Sequence, residues 1–172
     1  MNRITKLVLD LEKRKHPSTC AFSREEMKGL IENLRNRLDL PSTDLNISPT
    51  GLRKLESLLS TYYKQIAKSG DIFNDDFVVT LVREIAAFLG EVILTYTDAT
   101  LEDYGSLWST HLIISDRVTV SKEGKSQITN GINMSLGNLA SIALDRIEAD
   151  LPPNLYKSYR SAKSKSFIET YE

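Results

Sequence analysis

The sequence predicts an α+β fold: a helix-rich single domain over 1–172, with a central buried helix, flanking amphipathic helices and a small antiparallel two- or three-stranded sheet. Three observations predict it. The stretch from Asn74 to Tyr96 is apolar round most of a helical cylinder, as in a helix enclosed by others. The segments before it are apolar on one face only, so each must cover something. After Asp98 the texture changes to short β-prone runs, and helical spacing returns after Ser135.

The first helix is expected over about 3–15, where Ile4, Leu7, Val8 and Leu11 share a face ahead of the breaker His16-Pro17. Ser23 and Glu26 have the spacing of a capping box, in which each side chain satisfies an otherwise unpaired backbone N–H. They open a helix over about 23–38 with the stripe Met27, Leu30, Ile31, Leu34 and Leu38, and Pro41 marks the stop. Ser48-Pro49 starts a helix over about 49–68, since serine caps and proline has no N–H to lose in the first turn. Leu52, Leu55, Leu58, Leu59, Tyr62 and Ile66 form its stripe, and Gly70 is the end signal.

The central helix is expected over about 75–96, because the apolar run is too long for one strand. Its polar residues fall on a narrow stripe of Asp76, Thr80, Arg83, Glu84, Glu91 and Thr95, with Ala87 and Gly90 among them. A β unit is expected over about 110–134. His111 to Ile114 and Val118 to Val120 are β-prone, Lys122-Glu123-Gly124-Lys125 suits a turn, and Ile128, Ile132 and Met134 alternate on the return. Asn130-Gly131 can also be read as a tight turn of its own, which gives three short strands, and Asp116 marks a bulge or turn. Ser135 caps a helix over about 136–149, Pro152-Pro153 ends it, and a last helix over about 153–164 leads into a basic, serine-rich tail.

Composition narrows the function classes. A formal charge of −1 argues against a broad electrostatic footprint for nucleic acid. The single cysteine, Cys20, excludes an intramolecular disulfide. Met1 to Leu11 lacks the apolar core of a signal peptide, and no run approaches the roughly 20 apolar residues of a membrane span. The expected compartment is the cytoplasm, with no membrane association.

Leu45-Asn46-Ile47-Ser48-Pro49-Thr50-Gly51-Leu52-Arg53-Lys54-Leu55-Glu56 resembles an L-D-x-S-x-x-S-L-x-x-L-E helix opening, and Phe88-Leu89-Gly90-Glu91-Val92-Ile93 resembles a Y-L-G-E-V-I helix ending. Trp108 follows near the start of a strand. Together these resemble the layout of a scattered group of small bacterial cytoplasmic proteins of unknown function. Gly51 stands where that pattern has serine, and Phe88 where it has tyrosine. The resemblance implies a bacterial protein with an unassigned role and carries over no catalytic residue.

Gly124-Lys125-Ser126 ends like a phosphate-binding loop, but Thr119 stands where the leading glycine belongs, so a hairpin turn is the better reading. Cys20, His16 and His111 are the soft metal ligands, short of the four a structural zinc site needs, and neither metal nor cofactor is expected. Glu84 and Glu91 lie seven residues apart on nearly one face, roughly 10 Å along the axis. They can flank a ligand, or they can form the solvated edge of a packed helix. Tyr104, Trp108 and His111 cluster at the helix-to-strand junction, where amphipathic aromatics frame a pocket or cover a core end. Lys157, Arg160, Lys163 and Lys165 in the tail are candidates for an anionic partner.

No convergent catalytic chemistry emerges, so the leading expectation is a non-enzymatic binding or accessory domain whose partner is another protein. The alternative is a small-molecule sensor or enzyme with a carboxylate-lined cavity near Trp108. Weak nucleic-acid binding through the basic tail is the second alternative.

Overall fold

The computed structural model of the chain describes residues 2–41 and 43–167. Its helices are α1 (Arg3–Lys13), α2 (Arg24–Arg37), α3 (Pro49–Ser69), α4 (Asp75–Tyr96), α5 (Leu136–Glu148) and α6 (Leu155–Lys163). Its strands are β1 (Thr100–Asp103), β2 (Thr110–Ile114), β3 (Arg117–Val120), β4 (Ser126–Thr129) and β5 (Ile132–Ser135). The fold is α+β.

The local signals act where the sequence places them. Ser23 accepts from the Glu26 N–H while the Glu26 carboxylate accepts from Ser23, completing the capping box. Ser48, Asn74 and Ser135 cap α3, α4 and α5 through their side-chain oxygens. Gly70 ends α3 in the left-handed region at φ 88. Gly51 stands where no side chain fits, because a Cβ there would lie 1.9 Å from the Asn46 carbonyl oxygen.

Helix α4 is the centre. Val78, Val79, Leu81, Val82, Ile85, Phe88, Leu89, Val92 and Ile93 are all fully buried, and α4 touches each of the other five helices named above. Among the described residues, no helix is long and apolar enough to cross a membrane.

The β region departs from expectation at its start. Strand β1 precedes the expected boundary at 110 and pairs antiparallel with β2, from Thr100↔Ile113 to Asp103↔Thr110. Its sequence, Thr-Leu-Glu-Asp, holds a single large apolar residue, so periodicity does not announce it. The order β1-β2-β5 makes the three-stranded sheet, and β3 pairs with β4 in a separate two-stranded ladder. The β2–β5 pairs end at Ile114↔Ile132 and the β3–β4 pairs begin at Arg117↔Thr129, in the same register. The two ladders are therefore two halves of one long hairpin, interrupted at Ser115-Asp116 and, opposite, at Asn130-Gly131.

Asn130-Gly131 is thus not a hairpin turn. Gly131 lies where the two arms of the hairpin approach most closely: a Cβ there would sit 1.9 Å from the Ile114 carbonyl oxygen, and its N–H donates to Asp116 Oδ1 at 2.6 Å. The turn itself spans Ser121 to Lys125, with Gly124 at φ 75.

Candidate functional site

Glu84 and Glu91 both face α2, which runs antiparallel to α4, and each meets an arginine from it. Arg37 donates from Nε to Glu84 Oε2 at 2.7 Å and from Nη2 to Oε1 at 2.8 Å, and its guanidinium lies 4.8 Å from the Phe77 ring centre. Glu84 is fully buried, so the carboxylate side of this two-pronged pair is shielded from water while Arg37 stays partly exposed. Hydrogen bonding to Glu84 raises the Arg37 pKa above its ordinary value, outweighing desolvation, which lowers it. Near the other end of α2, Arg24 reaches the two Glu91 oxygens at 3.2 and 3.1 Å. All four carboxylate oxygens accept from arginine, and neither glutamate lines any of the larger cavities. The pair fastens α2 to α4, and Glu84 is not on a solvated edge.

At the helix-to-strand junction, the rings of Tyr104 and His111 meet edge to face, 6.0 Å apart at 80°. Tyr104 is exposed and its hydroxyl donates to Glu102, the cross-strand neighbour of His111, which raises the tyrosine pKa. Among the described residues, His111 Nδ1 is buried without a hydrogen-bond partner. Trp108 is held by its backbone: its N–H donates to Glu12 Oε2 at 3.3 Å and its carbonyl accepts from Ser135 Oγ at 2.6 Å. Among the described residues, no ring contact joins Trp108 to Tyr104 or His111. The structure brings two of these three together and leaves the α4 carboxylates apart from them.

The basic residues near the C-terminus are dispersed in role. Lys157 and Arg160 are exposed on α6, and Lys165 is half-buried. Lys163 donates to the Tyr96 carbonyl at 3.1 Å, placing a cation at the C-terminal end of α4, where the helix dipole favours it. The end of the tail, 168–172, lies outside the described residues.

His16 Nδ1 accepts from the Ser18 N–H at 3.3 Å and its Nε2 lies 3.6 Å from Asp76, while Cys20 is exposed. Among the described residues, no three His, Cys, Asp or Glu side chains gather as a metal would need.

Two features escaped the sequence. One is Asp145, which is 3% exposed and accepts from the N–H groups of Ile4 at 2.7 Å and Thr5 at 3.0 Å and from the Thr5 hydroxyl at 2.6 Å. It caps α1 from α5, because Asn2 makes no side-chain cap of its own. An acid beside the apolar stripe of α5 was the available signal. The other is the exposure of the far half of the hairpin, the β3–β4 arm. Val118, Val120 and Ile128 are 64%, 66% and 68% exposed. They belong to one face, since Val118 pairs with Ile128 and Val120 follows two residues on. Counted along each strand, this is the same alternate set as Leu112, Ile114 and Met134, which are buried in the near half. The base of the arm is pinned by an ion pair between Arg117 and Asp98, with the Arg117 guanidinium 4.3 Å from the Phe167 ring centre.

No protein-family model, curated protein or solved structure shows significant similarity to the chain.

Proposed function

We propose that the chain is a non-enzymatic binding module for another protein, and that the β3–β4 arm is its contact element. One observation carries this reading: an apolar stripe that seals the core in the near half of the hairpin continues into solvent as Val118, Val120 and Ile128. Contiguous exposed apolar side chains of this kind mark interaction surfaces in folded proteins. Among the described residues β3 and β4 pair only with each other, so each also offers an outer edge of backbone groups to an incoming strand. The Arg117–Asp98 pair holds the base of the arm, which lowers the ordering cost of binding.

The test is capture of partners from a lysate by three immobilised proteins: the unaltered chain, a Val118→Lys/Ile128→Lys variant and a Lys28→Ala control on the exposed face of α2. The unaltered chain and the control retain the same partner, and the arm variant loses it by about a hundredfold or more, as when central apolar contacts are replaced by charge. Equal capture by the arm variant, with its fold intact by circular dichroism, defeats the reading.

A further inference from the structure

A cavity of about 500 Å³ lies between α3 and the α5–α6 connection. A second depression, of about 480 Å³, adjoins it and shares Lys64, Ile147 and Asp150 with it. The two form one trough, crossed by the Lys64–Asp150 ion pair at 2.9 Å. Both partners of that pair are largely solvent-exposed, so it is screened and opens at little cost.

The ends of the trough differ in chemistry. At one end Arg53 lies with its guanidinium 4.0 Å from the Tyr156 ring centre. That stacking orients the fork, yet among the described residues no hydrogen bond or ion pair uses its donors. The acidic neighbour, Glu56, is turned to the start of α6, where it accepts the Tyr156 N–H at 3.0 Å. Beside Arg53 stand Leu151, 48% exposed, and Pro152. At the other end the walls are Ala67, Ile72 and Tyr63, with Ile147 between, and Glu148 beside them has its Oε1 taken up by Arg3 and the Tyr63 hydroxyl. From Arg53 to Ala67 the trough runs about 21 Å along α3 at the helical rise per residue.

We infer that this trough binds an amphipathic anion, a carboxylate or phosphate on an aliphatic chain, with the anion on Arg53 and the chain running over Ile147 towards Ala67. A planar guanidinium with free, parallel donors grips a carboxylate or phosphate by two hydrogen bonds at once. The apolar floor then takes up the chain. An aliphatic amine would present the wrong charge to Arg53.

Titrating the isotopically labelled full chain with butyrate, octanoate, octyl phosphate and octylamine, followed by amide chemical shifts, tests this. Octanoate or octyl phosphate moves the Leu151 and Ile147 amides saturably below about 10 mM, a range set by weak millimolar affinity, and the stronger of the two identifies the anion. Binding tightens roughly two- to fourfold per methylene from butyrate to octanoate. Arg53→Met keeps the stem over Tyr156 and weakens binding by about tenfold or more. Ser60→Asp, at a partly exposed site about 10 Å from Arg53 along α3, removes the chain-length dependence. Equal shifts with octylamine, unchanged affinity in Arg53→Met, or no saturation by either anion overturns the inference.

Discussion

In the near half of the long hairpin, Leu112, Ile114 and Met134 lie in the core, whereas in the far half Val118, Val120 and Ile128, the same alternate set on the same two arms, stand in solvent. Helix α5 packs on β2 and β5, and β1 completes their sheet, while among the described residues no further strand lies beside β3 or β4. Alternation therefore declares that a strand has an apolar face and says nothing of what will cover it. Cover comes from tertiary placement, and here it stops at the break between Ser115-Asp116 and Asn130-Gly131. The near half draws stability from burial, and the far half exposes the same chemistry to whatever it meets.

The largest effect expected from breaking this contrast lies in the near half. Leu112→Ala empties a site that is 1% exposed and faces a filled core, so unfolding by urea should show a loss of about 3 kcal/mol. A loss under about 1 kcal/mol would mean that the sheet collapses readily onto α5 and that the near half is not the sealed side.

The break itself comes next. In Gly131→Ala the new methyl would meet the Ile114 carbonyl at 1.9 Å, and that neighbour is backbone, unable to rotate away. The arms must part, at a cost of about 2 kcal/mol. Amide exchange should quicken around Ile114 and Ile132, where the two ladders meet. Unchanged stability would show that the arms tolerate separation and that the two ladders move independently.

These contrasts also mark how far the sequence could be read. The helices were legible because their signals are local: Ser23 with Glu26, Ser48 before Pro49, Gly70 after Ser69, and apolar stripes at helical spacing. The hairpin was legible as alternation, but its two halves alternate alike, so buried and exposed apolar residues read the same. Strand β1 was silent because register with β2, not its own composition, makes it a strand. The roles of Glu84 and Asp145 depend on partners far along the chain, Arg37 in one case and the start of α1 in the other. A carboxylate waiting for a distant partner looks the same as one waiting for a ligand. The α4 stripe thus offered a plausible cavity where the fold makes a clamp.

The smallest expected effect is the one that defines the far half. Val118→Thr and Ile128→Thr keep β-branched side chains, and hence the strand preference, while removing apolar surface that is already in water. Nothing buried is lost, so the double variant should differ in stability by less than about 0.5 kcal/mol, the range of ordinary surface substitutions. The same measurement that registers Leu112→Ala should barely register this pair, though both come from one alternate set on one hairpin. A double variant destabilised as much as Leu112→Ala would mean that the arm's apolar face is covered in the folded chain. The free surface on which the proposed contact depends would then not exist.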